Sequence, residues 1–127
     1  MEADAIVDQI TKYSNLLYYR DPETKQLSPA LPEALANNLL LIRGLMLRLI
    51  DFVSDAEVKY RHAKASRFDQ FIKDGMKKSP AFDQLEMESD LIEMKISVER
   101  LRNYLKYTEG LCTSVQSVLK FKTSTNA

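Results

Sequence analysis

From Leu35 onward, apolar residues follow one another in alternating steps of four and three: Leu35, Leu39, Ile42, Met46, Leu49, Val53, Ala56, Tyr60 and Ala63. A straight α-helix drifts about 20° per heptad away from such a spacing, so a seam sustained over more than three heptads belongs to helices wound against a partner. A second seam supplies that partner: Met87, Leu91, Met94, Val98, Leu101, Leu105, Thr108, Cys112, Val115 and Leu119. Between them lies Asp74-Gly75-Met76-Lys77-Lys78-Ser79-Pro80. There Gly75 suits a helix C-terminal cap, and Ser79 with Pro80 suits an N-cap and first helical position. A connection this short demands antiparallel pairing. The expected fold is all-α: a long antiparallel coiled-coil hairpin with helices of about 60 Å each, at 1.5 Å per residue.

Ahead of the first seam, Ile6, Ile10, Tyr13 and Leu17 share one stripe of an amphipathic helix. The prolines and polar residues from Arg20 to Pro29 cannot continue it. Pro29 and Pro32 fit the first turn of the next helix, with Glu33 near the positive end of its dipole. One helical domain over residues 1–127 is expected. Helix one covers 3–19 and packs at the hairpin's open end, followed by a connector over 20–31. Helix two covers 32–73, a turn 74–79, helix three 80–121 and a short tail 122–127.

Composition agrees, with 3 Gly, 4 Pro and 45% hydrophobic residues. The single cysteine, Cys112, falls on a seam and reads as core, which fits a reducing compartment. The N-terminus is acidic where a secretory signal is basic. The most apolar stretch, Leu39 to Val53, carries Arg43, Arg48 and Asp51, which are costly in a bilayer. A cytoplasmic protein without a membrane span is expected.

Around helix two, Leu40, Leu41, Leu45, Leu47, Ile50 and Phe52 add more apolar surface than one partner helix covers, which points to homo-oligomerisation. Toward the turn the seam shrinks to Ala56 and Ala63 and loses regularity at Arg67 and Gln70.

Charge is split there. Between Lys59 and Lys78 seven basic residues (Lys59, Arg61, Lys64, Arg67, Lys73, Lys77 and Lys78) face two acids, Asp69 and Asp74. From Ala81 to Met94 the sequence holds Asp83, Glu86, Glu88, Asp90 and Glu93 with no basic residue. Two readings stand: the arms neutralise each other across the seam, or the basic arm grips phosphates while Tyr60, Phe68 and Phe71 stack on bases. Arg100, Arg102, Lys106, Lys120 and Lys122 form a second basic group. Balanced overall charge, 18 basic against 18 acidic residues, does not by itself announce a nucleic-acid binder and favours a turn that docks protein instead.

No enzyme chemistry is legible. His62 is the sole histidine and has no second ligand at metal-binding spacing, the carboxylates lack the Glu-x-x-His pairs of di-iron bundles, and no Gly-rich phosphate loop occurs. No cofactor or metal is expected.

The order of short helix, long helix, basic Ala-containing segment and long final helix resembles the UvsY-like recombination mediators of T-even-like bacteriophages. Ala63-Lys64-Ala65-Ser66-Arg67-Phe68-Asp69 resembles the family's Lys-Ala-Arg strand-binding segment, with Ser66 inserted before the arginine, and Met94-Lys95 through Leu111-Cys112 resembles its last helix. The resemblance covers residues 36–122. It implies a ring-forming, non-enzymatic protein that binds single-stranded DNA and helps load a recombinase onto strands coated by single-strand-binding protein, with Lys64 and Arg67 at the DNA. The alternative is a helical scaffold, adaptor or small inhibitor whose charged turn docks another protein.

Overall fold

The computed structural model describes the backbone of residues 2–125 and the side chains of residues 2–121. The described residues form four helices, α1 (Glu2–Ser14), α2 (Pro32–Lys73), α3 (Lys78–Leu85) and α4 (Ser89–Thr125), with a two-stranded antiparallel ribbon, β1 (Tyr18–Arg20) with β2 (Leu27–Pro29), between α1 and α2. The chain is an all-α hairpin in which α2 packs against α4.

Helix α2 begins at Pro32, where a missing N–H costs nothing, and ends in a Schellman cap. The Met76 N–H donates to Phe71 O at 2.9 Å and the Gly75 N–H to Ile72 O at 3.0 Å, with Gly75 at φ 95°. The left-handed backbone there is why glycine occupies the position.

The expected boundaries need four corrections. Helix one stops at Ser14 rather than at residue 19, because Leu16 and Leu17 make only i→i−3 bonds and Tyr18 and Tyr19 are better strand than helix formers. The connector contains the ribbon, and Pro29 closes β2 instead of opening α2. The turn of the ribbon is held by Asp21, whose Oδ1 accepts the N–H groups of Glu23 (2.8 Å) and Thr24 (3.2 Å). Helix three is two helices, broken at Glu86–Glu88, since Ser89 and Asp90 favour a fresh N-terminus. The first begins at Lys78, with Lys77 rather than Ser79 at the cap, and Pro80 sits third, still among the first-turn residues whose N–H has no helical acceptor. Met87 therefore falls in the break, 74% exposed and off the seam. Helix α4 also runs on to Thr125, through most of the expected tail.

Two compact units share α2 and α4. In the first, residues 2–50 and 105–125, Ile6, Ile10, Leu17, Leu35, Leu39, Ile42, Leu45, Met46 and Leu49 are buried with Thr108, Cys112 and Val115. The Cys112 thiol donates to Met46 Sδ at 3.8 Å, and burial pushes its pKa up, so this sulfur is packing material rather than a nucleophile. In the second unit, residues 51–104, Val53, Ala81, Leu85, Leu91 and Val98 are the buried apolar side chains. Its core is thinner, because Ala56 and Ala63 are small and half-buried.

Of the residues expected at an oligomer interface, Leu40, Leu41, Leu47 and Ile50 are exposed, Leu40 at 73% and Leu47 at 66%. Leu45 is a correction: it is buried at 9%, one step from Met46 and Leu49 on the core-facing side of α2. Phe52 is half-buried.

Candidate nucleic-acid interface

The seven basic residues between Lys59 and Lys78 do not form one surface, because helical periodicity distributes Lys59, Arg61, Lys64, Arg67 and Lys73 around α2, while Lys77 and Lys78 belong to the start of α3. Continuing the seam from Ala63 by a step of four reaches Arg67, which therefore points inward, where a charge must find partners. It finds two. Arg67 Nη2 donates to Asp90 Oδ2, in the first turn of α4, at 2.7 Å, and Nη1 lies 3.1 Å from Oε2 of Glu88, the residue before α4. Arg67 holds the Asp90 carboxyl below its ordinary range. One guanidinium against two carboxylates leaves this triad net negative.

A second triad has the opposite balance. Glu57 Oε1 accepts from Arg61 Nη2 at 2.6 Å, one helical turn away, and Oε2 accepts from Arg102 of α4. Arg102 and, to a smaller extent, Arg61 keep the Glu57 carboxyl below its ordinary range. Two guanidiniums share one carboxylate, so positive charge is left over, and Arg61 is 74% exposed.

Glu57, Arg61, Lys64 and Phe68 follow at steps of four, three and four, on a flank of α2 beside the seam. Lys64 Nζ lies 5.9 Å from the centre of the Tyr60 ring. Phe68 stacks on Phe82 of α3, with ring centres 4.6 Å apart and planes inclined by 28°. Arg61, Lys64, Ala65, Phe68, Phe82 and Leu85 together line a shallow, mostly apolar hollow of 260 Å³. Cations and aromatic rings thus meet at Arg61, Lys64 and Phe68.

Lys59 lies on the other flank, where it lines an open groove of 450 Å³ with Asp90 and Glu93. Lys73 is exposed at the end of α2, and Lys77 and Lys78 are exposed at the start of α3, the end of a helix dipole that favours anions. His62 is exposed and lines a shallow depression on α2 with Asp69 and Lys73. In the second basic group, Arg100 and Lys106 are exposed, Arg102 belongs to the Glu57 triad, and the side chain of Lys122 lies outside the described residues.

The sequence groups the basic residues of this segment with Tyr60, Phe68 and Phe71; of these, Arg61, Lys64 and Phe68 line one hollow, together with Phe82, which the sequence did not point to. The missed signal was a second helix start at Ser89-Asp90 soon after the one at Ser79-Pro80, which sets off α3 as a separate element carrying Phe82. Among the described residues no group of His, Cys, Asp or Glu could hold a metal ion, and no helix is long and apolar enough to cross a membrane. Comparisons of this chain with protein-family models, with characterised proteins and with solved structures gave no match.

Proposed function

We propose that this chain is a non-enzymatic, oligomeric single-stranded-DNA-binding protein of the recombination-mediator kind, assisting a recombinase on strands coated by single-strand-binding protein. The observation that carries the reading is the charge left after local pairing. Arg61 and Arg102 share the single carboxylate of Glu57, and Lys64 stands one turn beyond Arg61 on the same flank. Such surplus cations beside aromatic faces suit a flexible, sequence-tolerant polyanion. Arg67 drops out of the phosphate-binding set because Glu88 and Asp90 already satisfy it. Lys59, Lys73, Lys77 and Lys78 contribute longer-range attraction.

Self-association is proposed through exposed Leu40, Leu41, Leu47 and Ile50 in the first unit. The same leucines favour a second reading, a helical module that docks another protein and ignores nucleic acid. Fluorescence anisotropy with labelled oligo-dT at two salt concentrations separates the readings. Binding that weakens steeply with salt supports the first, and no binding at low salt overturns it. Light scattering on the same sample tests assembly, and a monomer contradicts it.

A further inference from the structure

We infer that Phe82, braced by Phe68, is a base-stacking platform, and that single-stranded DNA is held there by a ring-on-base contact with Arg61 and Lys64 flanking the strand. The inference rests on the proposed DNA binding and adds a way of holding the bases that charge alone does not require.

Phe82 is 55% exposed although it lies between two buried neighbours in α3, Ala81 and Leu85. Its contact with Phe68 is a stack, which occupies one ring face, while over half of the residue stays open to solvent. Offset stacking orients the outer ring and holds it still at small entropic cost. An aromatic face fixed in this way accepts a nucleobase of any sequence, because every base presents a π-face. The occupant is selected by charge: the hollow beneath the rings is apolar and bordered by Arg61 and Lys64, so it suits a flat apolar body that carries anions on either side. An unpaired nucleotide within a strand has that form. A base inside a duplex has no free face.

The test uses the full chain, which contains no tryptophan. Oligo-dT and an abasic oligomer of the same length carry the same phosphates and differ only in bases. The wild-type protein is expected to bind oligo-dT roughly five- to tenfold more tightly for one stacked base. Phe82→Leu, which keeps apolar bulk without a π-face, should bring the oligo-dT affinity down to that of the abasic chain and leave abasic binding unchanged. In Phe82→Trp the lone indole fluorescence should be quenched by oligo-dT and not by the abasic chain, a readout that a purely structural role for the ring does not produce. Equal wild-type affinity for both oligomers, equal losses for both in Phe82→Leu, or an unquenched indole overturns the platform while leaving DNA binding intact. Failure of the wild-type protein to bind either oligomer at low salt overturns the DNA reading itself, and the platform with it.

Discussion

In the unit built from residues 2–50 and 105–125, α2 meets α4 through side chains such as Ile42, Met46 and Leu49 facing Thr108, Cys112 and Val115, all buried. In the unit of residues 51–104 fewer apolar side chains of the same two helices are buried, Val53, Leu91 and Val98, and more of the ties are ionic: Glu57 to Arg102, and Arg67 to Asp90 and to Glu88 just before α4, against the one pair of Arg43 with Glu109 in the first unit. The change follows seam residues that shrink to alanine and then become arginine. Burial of large apolar side chains supplies roughly 1.5–3 kcal/mol each, whereas exposed ion pairs supply little and instead fix which cations are already satisfied. The first unit is thus specialised for cohesion. In the second, charged side chains divide the work: Arg67 and Arg102 tie the elements together, and Arg61 and Lys64 are left for the candidate DNA contacts.

The contrast can be broken most forcefully in the apolar unit. Leu49→Ala should cost about 2–5 kcal/mol in urea denaturation, the range for a fully buried leucine. Met94→Ala, at a half-buried seam position of the charged unit, should cost roughly 1 kcal/mol, since less apolar surface leaves water. Costs of equal size would erase the distinction between the units. Gly75→Ala should cost about 1 kcal/mol, because φ 95° strains any residue with a Cβ.

Acid should loosen the charged unit selectively. The carboxyls of Glu57 and Asp90 are held down chiefly by hydrogen bonds from Arg102 and Arg67, so their folded-state values lie below those of the unfolded chain. Their contribution is complete above the unfolded value of about 4 and is lost as the pH falls through the lower folded one. Amide exchange between pH 5 and 3 should show protection, corrected for intrinsic exchange rates, falling in residues 51–104 before it falls in residues 32–50. A uniform loss would contradict this.

Much of the fold was legible because the seam is a local, repetitive signal. Every seam residue of α2 from Leu35 to Val53 is buried, and α2 starts and stops where Pro32 and Gly75 indicate. The break before α4 was not legible, because Met87 continues the spacing of four and three across it, and periodicity cannot see that Ser89 and Asp90 open a new helix. Reading through the break hid α3 and with it the pairing of Phe82 with Phe68. The fate of Arg67 was partly legible: it occupies a seam position, yet naming its carboxylate partners needs the register of α4 against α2. Among the cations, Lys64 and Arg67 stand three residues apart, one turn along α2, and what distinguishes them is not their place on the helix but that Glu88 and Asp90 hold Arg67.

The division of labour among those cations is the central claim, and one paired measurement tests it: salt-dependent oligo-dT affinity and thermal midpoint for Lys64→Ala and Arg67→Ala side by side. Lys64→Ala should lower affinity severalfold, reduce the salt slope by about 1 and leave the midpoint unchanged. Arg67→Ala should lower the midpoint by leaving Glu88 and Asp90 uncompensated, with affinity unchanged. The reverse pattern, with Arg67→Ala losing DNA at an unchanged midpoint and Lys64→Ala retaining it, would contradict the assignment.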